Sequence, residues 1–253
     1  MKALQRVAHR GGAGLAPENT LAAFRNALTL PIDAVELDVQ MSRDGHALVF
    51  HDATMERLTD GQGNMLDLDY EYLRSLNASA HFRGGWPEPQ QIPTLREVLE
   101  LVRNRAQVYL EIKASDRDGV HGRYPNIARA VVNELRALNM HKDVLIISFD
   151  WEVLHEVRLL DERLQTSAIV SKDNWTEYDE QSIEKLLTEV GKRGVSAVSF
   201  DHTLFSEALL AQVHRRGYKF ALWTVNTLEE LQRLHTAKVD SLTTDRPDLF
   251  ASI

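Results

Sequence analysis

Apolar residues fall into two alternating kinds of run along this chain. Short unbroken stretches such as Val108–Ile112 and Val144–Ser148 read as strands buried on both faces, whereas Ile183, Leu186, Leu187 and Val190 repeat at the i, i+3, i+4 spacing of a helix face. Strands are expected at 6–8, 34–40, 108–112, 144–148, 166–170, 197–200, 219–223 and 241–243. Helices are expected between them at 20–30, 95–105, 127–138, 151–160, 179–193, 206–215 and 228–235. Capping signals support the assignment: Pro93 and Thr94 precede the run from Leu95, and Gly217 stops the helix before it. Eight strands, each followed by a helix or a terminal turn, make the count of an α/β (β/α)8 TIM barrel. A doubly wound open sheet shares that alternation, and periodicity does not separate the two.

One further strand, 47–50, follows Asp44–Gly45, a dipeptide suited to tight hairpins, and so places a hairpin on the second barrel strand. The rhythm then breaks over 52–92, where Gly61, Gly63, Gly84, Gly85, Pro87 and Pro89 are interspersed. A connection of that length is expected to be an insertion over the barrel mouth, within a single domain spanning 1–253.

Composition narrows the function. The 253 residues are 43% hydrophobic and 26% charged, ordinary for a globular protein, and carry a formal charge of −8 with no Lys/Arg run. That balance argues against nucleic acid or an anionic membrane as partner. The absence of cysteine excludes disulfides, zinc–thiolate sites, Fe–S clusters and a Cys nucleophile. Residues 1–10 lack the apolar core of a signal peptide, and the longest apolar stretches fall far below the ~18 residues of a membrane span. A soluble, cytoplasmic protein is expected, as monomer or homodimer.

Polar residues gather where the strands end. His9-Arg10-Gly11-Gly12 closes the first strand; Glu36 and Asp38 lie on the second; His51-Asp52 ends the hairpin strand; Glu111 and Lys113 end the third barrel strand. In a parallel barrel all these ends open on one face. Glu36 and Asp38, two apart on a strand, share a face among apolar neighbours and need a counter-charge. A divalent cation supplies it, with Glu111 as a third oxygen donor, and all-oxygen ligation suits Mg²⁺ or Ca²⁺. The competing reading is a solvated strand face, and the repeat of the pattern at Glu111 and Lys113 favours metal. His9 and His51 suit general acid and base work; metal ligation and a core position are their alternatives. Arg10 and Lys113 suit phosphate, or else pair with the carboxylates. Glycines 11, 12 and 14 would let backbone approach an anion. Trp223 serves as pocket wall or core aromatic. Asn19 and Thr20 read as caps of the first helix, with Glu18 at its positive end. Phe200-Asp201-His202 and Asn174-Trp175 also follow strands and are candidates for substrate contact. His121, His141, His155, His214 and His235 carry no assigned role.

Taken in order, these segments resemble the glycerophosphodiester phosphodiesterases, over nearly the whole chain. His9-Arg10-Gly11 with Ala16-Pro17-Glu18-Asn19-Thr20 is similar to that family's opening segment, and Glu36-Leu37-Asp38-Val39, Arg43-Asp44-Gly45 and Val49-Phe50-His51-Asp52 to its second block. Pro93-Thr94-Leu95, Glu111-Ile112-Lys113, Trp223-Thr224-Val225-Asn226 and Thr244-Asp245-Arg246-Pro247 match the later blocks. The resemblance implies a TIM barrel that hydrolyses small glycerophosphodiesters to glycerol 3-phosphate and an alcohol. It implies His9 and His51 as acid/base pair, and Glu36, Asp38 and Glu111 as ligands of one divalent cation, Mg²⁺ or Ca²⁺. Arg10 and Lys113 become phosphate contacts, and Trp223 a pocket-wall aromatic. The nucleophile is either water or the glycerol's own 2-hydroxyl, the latter giving a cyclic phosphate. Two rivals remain: a diesterase of the same barrel type acting on lysophospholipids or sphingolipids, and a binding module without turnover.

Overall fold

The protein is described from a computed structural model covering residues 4–114 and 126–253, so His121 lies outside the described residues. Eight parallel strands close into a barrel: β1 (Gln5–Ala8), β2 (Ala34–Met41), β4 (Gln107–Ile112), β5 (Val144–Ser148), β6 (Gln165–Val170), β7 (Ala197–Asp201), β8 (Lys219–Trp223) and β9 (Ser241–Thr244). Closure is decided at β1, which pairs with β2 through Val7–Ala34 and with β9 through Arg6–Leu242. An open doubly wound sheet has two free edges, and here that ring has none. β3 (Ala47–Val49) pairs antiparallel with the end of β2, Val39 facing Val49 and Met41 facing Ala47, and Gly45 supplies the left-handed turn residue (φ +86°) between them.

Helices α1 (Leu21–Ala27), α3 (Leu95–Val102), α4 (Asn126–Leu138), α5 (Trp151–Leu160), α6 (Glu180–Lys192), α7 (Glu207–Arg215) and α8 (Leu228–Thr236) separate the strands. Their apolar stripes pack on the strands: Leu95, Val98, Leu99 and Val102 of α3, and Ile183, Leu186, Leu187 and Val190 of α6, are all buried. Each such side chain contributes about 1.5–3 kcal/mol of burial. Thr94 starts α3 with a capping box, accepting from Glu97 N–H while the Glu97 carboxylate accepts from Thr94 N–H, a feature typically worth ~1 kcal/mol.

Residues 52–92 hold a single short helix, α2 (Tyr70–Ser75), besides a 3₁₀ turn at Met65–Asp67. A second apolar cluster, in which Met55, Met65, Leu73, Leu76 and Ile92 pack on Leu48 and Phe50 of the hairpin, anchors the segment beside β3. Among the described residues no helix is long and apolar enough to cross a membrane.

Candidate active site

The register of β2 against β4 builds the floor of the site. Asp38 stands opposite Glu111 in the parallel ladder, and Glu36 lies two residues back on the same face of a strand that is buried throughout. Carboxylate oxygens of Glu36, Asp38 and Glu111 all lie within 4.8 Å of one another. Two of the three have a buried oxygen left without a hydrogen bond. Asp38 Oδ1 and Glu111 Oε1 have no hydrogen bond of good geometry, and both instead face the Lys113 ammonium, at 3.1 and 2.5 Å. Asn19 donates to Asp38 Oδ2 at 2.8 Å, and the Arg10 backbone N–H donates to Glu36 Oε2 at 2.8 Å.

Burial, followed by the neighbouring charge of Asp38, pushes the Glu36 carboxyl up to about 8. Glu111 is likewise raised, first by burial, although Lys113 opposes it. Asp38 goes the other way: burial would raise it, but Lys113 and Arg10 hold it well below the usual carboxylate range. With all three carboxylates ionised, as a bound cation requires, Lys113 and Arg10 leave one negative charge at the floor uncompensated. A divalent cation would turn that into one net positive charge, which a phosphodiester anion then neutralises. The donor set, all oxygen and all buried, fits such a cation.

Two imidazoles flank this floor, each backed by a carboxylate. His9 Nδ1 meets Asp245 Oδ1 at 2.6 Å, and its Nε2 is 3.9 Å from Glu36 Oε2. His51 Nδ1 meets Asp52 Oδ1 at 2.6 Å. Both aspartates are held ionised, so each Nδ1 is the donor and each Nε2 is left for the cavity. Burial lowers the His9 pKa, but the Asp245 hydrogen bond and the Glu36 charge outweigh it and raise the group above its ordinary value. His51 is lowered, by burial first, with Asp38 opposing and Lys113 and Arg10 adding to the fall.

Supporting residues fix these groups in turn. Asn226 Oδ1 accepts from Asp245 N–H, which leaves its NH2 to donate to Asp245 Oδ2 at 2.6 Å. Buried Gln40 donates to the carbonyls of His51 and Asp52 at 2.9 and 2.6 Å, tying the end of the hairpin strand to β2. Arg57 grips both oxygens of Asp52, at 2.5 and 2.8 Å, and both of Glu18, at 3.1 and 2.8 Å. Glu18 in turn accepts from Arg10 Nη1 at 2.8 Å.

The cavity above the floor measures about 180 Å³, and His9, Arg10, Glu36, His51, Glu111 and Lys113 all line it. Trp223 lines it too, its Nε1 donating to Ser199 O at 3.1 Å and its ring meeting Phe149 edge-on at 5.6 Å. Ile147 and Ile169 complete an apolar wall. A larger cavity, about 380 Å³, opens at the opposite end of the barrel beside Gln5, Gln107 and Lys219, the first residues of their strands, and contains neither histidine.

Several expectations change in this light. Thr20 does cap α1, accepting from Ala23 N–H, but Asn19 does not; it holds Asp38 instead. Glu18 binds Arg10 and Arg57 rather than serving the helix dipole alone. The glycines after His9 make room for protein: a Cβ on Gly11 would press on Ala23, and one on Gly12 on Pro247, each at 2.9 Å. Phe200 is core, and neither Asp201, His202, Asn174 nor Trp175 lines the cavity. Asp245, Asn226, Gln40, Arg57 and Phe149 carried no assigned role in the sequence. Asn226 and Asp245 lie in segments that match the family's later blocks, which was the signal available for those two.

Known proteins resemble this chain along nearly its whole length. Residues 9–249 match the Glycerophosphoryl diester phosphodiesterase family. The Glycerophosphodiester phosphodiesterase of Caldanaerobacter subterraneus subsp. tengcongensis is 32% identical over 248 residues, covering 98% of this chain and 96% of that protein. Among solved structures, a glycerophosphodiester phosphodiesterase from Agrobacterium tumefaciens is 27% identical with a TM-score of 0.81, covering 99% of this chain and 100% of the other. An Oleispira antarctica phosphodiesterase, solved in complex with the product sn-glycerol-3-phosphate, is 25% identical with a TM-score of 0.82, covering 98% and 95%. With the barrel, the acidic floor and these relatives in agreement, the chain belongs to the glycerophosphoryl diester phosphodiesterase family.

Proposed function

We propose that this protein hydrolyses small glycerophosphodiesters to sn-glycerol 3-phosphate and an alcohol, with a divalent cation, Mg²⁺ or Ca²⁺, as cofactor. The observation that carries the reading is the meeting of three buried carboxylates with two carboxylate-backed imidazoles around one small cavity. The product held by the Oleispira relative supports the choice of substrate.

Glu36, Asp38 and Glu111 would hold the cation, which when bound supplies charge neutralisation at the phosphoryl oxygens. Arg10 and Lys113 add positive charge at the same rim, where the diester's oxygens gain charge as the transition state forms. His51, whose pKa is lowered, is neutral near pH 7 and acts as base, taking a proton on Nε2 from the nucleophile. His9, whose pKa is raised, is the better proton carrier of the two and delivers a proton from Nε2 to the departing alkoxide. The P–O bond to the nucleophile forms as that to the alcohol breaks, so a proton enters at His51 as another leaves at His9. If the nucleophile is the glycerol 2-hydroxyl, water opens the cyclic phosphate with the roles reversed. Trp223 and Phe149 give the carbon face of glycerol an apolar wall. The 52–92 segment acts as the insertion at the barrel mouth, and its Arg57 grips Asp52 behind His51. A water-borne substrate and a cysteine-free chain fit a cytoplasmic enzyme.

The test is to incubate the protein with glycerophosphocholine and Mg²⁺ and couple any glycerol 3-phosphate to its dehydrogenase. Signal abolished by chelator and by His9→Ala supports the reading. Silence with Mg²⁺, Ca²⁺ and Mn²⁺ across choline, ethanolamine and glycerol head groups overturns it, and lysophospholipids become the next substrates to try.

A further inference from the structure

We infer that Arg57, a residue of the 52–92 segment that lines no part of the cavity, is a positioning residue that locks the base His51 and the phosphate-binding Arg10 into one rigid frame. The inference rests on the acid/base reading of His51 given above.

The geometry is a chain of alternating charges. From His51 Nδ1 it runs through Asp52 to Arg57, on to Glu18, and from Glu18 to Arg10. Arg57 stands at its centre and is the one member that touches two carboxylates with both oxygens of each. A bidentate guanidinium fixes the plane of a carboxylate, which a single donor does not. With Arg57 in place, Asp52 cannot rotate about its last bond, and its Oδ1 stays aimed at His51 Nδ1. The imidazole is thereby held in one tautomer and one orientation. On the other side Glu18 is oriented between Arg57 and Arg10, so the Arg10 fork keeps its place beside Asp38. Half of the Arg57 side chain is exposed, so an isolated ion pair there would contribute little. Its four-fold engagement of carboxylates that are four-fifths or more buried is a different case.

The base and the phosphate contact lie on separate elements, the end of the hairpin strand and the turn after β1. Relative placement of such groups governs rate steeply, an error of about 1 Å costing on the order of 10²-fold. A single residue joining the supports of both removes that freedom.

The test compares Arg57→Ala and Arg57→Lys with wild type and with Arg43→Ala. Arg43 makes a similarly bidentate pair with Asp69 but touches no part of this chain of charges, so its variant keeps wild-type kcat. Arg57→Ala should lower kcat roughly 10–100-fold, with Mn²⁺ affinity unchanged, and Arg57→Lys should recover only part of the loss. Millimolar guanidinium should restore activity to Arg57→Ala and leave Arg57→Lys unaffected. In an Asp52→Ala background the further loss on removing Arg57 should be smaller than in wild type, because only the arm through Glu18 to Arg10 is then left to lose. A second readout needs no turnover. In ¹⁵N-histidine spectra of the metal-free protein, His51 should show a protonated Nδ1 in wild type and a tautomer mixture in Arg57→Ala. Wild-type kcat in Arg57→Ala, full additivity with Asp52→Ala, or an unchanged His51 tautomer would each overturn the inference. A wild-type protein inactive on every glycerophosphodiester overturns the proposed function instead, and the tautomer measurement still decides the role of Arg57.

Discussion

His9 and Asp245 stand 236 residues apart in the chain and meet at 2.6 Å because β1 and β9, the first and last strands of the barrel, are hydrogen-bonded neighbours. The contact leaves Nε2 of His9 facing the cavity, and Asn226 fixes the Asp245 carboxylate from the far side.

Asp245→Asn should be worse than Asp245→Ala. Asn226 presents an NH2 to Oδ2, so the substituted amide would keep its oxygen there and turn its own NH2 on His9 Nδ1. That forces the wrong tautomer, a fault that costs up to about 10⁴-fold in the Ser-His-Asp hydrolases. Alanine merely frees the ring, and a loss of roughly 10–100-fold is expected. Steady-state kcat of the two variants decides the order.

The two histidines should titrate on opposite sides of 6.5 in the metal-free protein, His51 below and His9 above. Burial lowers both, and only His9 has enough opposing negative charge to reverse the sign. Histidine ¹³C spectra against pH measure this directly. His9→Ala and His51→Ala should each cost roughly 10²–10⁴-fold in rate, and a variant with near-wild-type turnover loses its assigned role.

Glu36 makes metal binding a proton-releasing event. Its carboxyl, raised from 4.5 to about 8 chiefly by burial, is largely protonated at pH 7. A divalent cation needs the ionised form, so binding should expel close to one proton. Calorimetry in buffers of different ionisation enthalpy counts it. The same shift fixes the stability profile: a raised folded pKa gives stabilisation that is full below 4.5 and lost as pH climbs through 8. Metal-free Glu36→Gln should therefore be more stable than wild type at pH 8, by about 1–4 kcal/mol. It should also lose most of the thermal shift that Mg²⁺ produces.

Trp223→Ala should raise KM more than it lowers kcat. The indole touches no proposed proton path; it packs on Phe149 and forms the apolar wall of the cavity. Loss of an aromatic contact of this kind is worth about 0.5–1.5 kcal/mol, or a 2- to 12-fold change in KM. Phe149→Leu should act in the same direction and less strongly. An unchanged KM in both variants places substrate away from this wall.

What the sequence determined is what short-range physics encodes. Strand and helix positions follow from apolar periodicity, and the observed elements match those expected to within a few residues at each end. α1 and α3 stop three residues short of the expected ends, where Leu28 and Arg103 already lie beyond the last helical turn. The pair Glu36 and Asp38 was legible because two residues on one strand must share a face. The grouping of histidines, carboxylates and cations was legible in the strand ends of a parallel barrel, and the resemblance to a known family agreed with it.

Tertiary structure decided everything that depends on which strands are neighbours. Barrel against open sheet turns on one pairing, β1 with β2, and no local pattern specifies it. The pairing of β1 with β9 brings Asp245 to His9, just as the hairpin brings Arg57 within reach of both Asp52 and Glu18. Asn19 reads locally as a helix cap because Asn favours such positions, yet its amide is taken by Asp38, nineteen residues on. Periodicity reports which face of an element is apolar; the partner of a polar side chain is chosen by distance in space, after the barrel has closed.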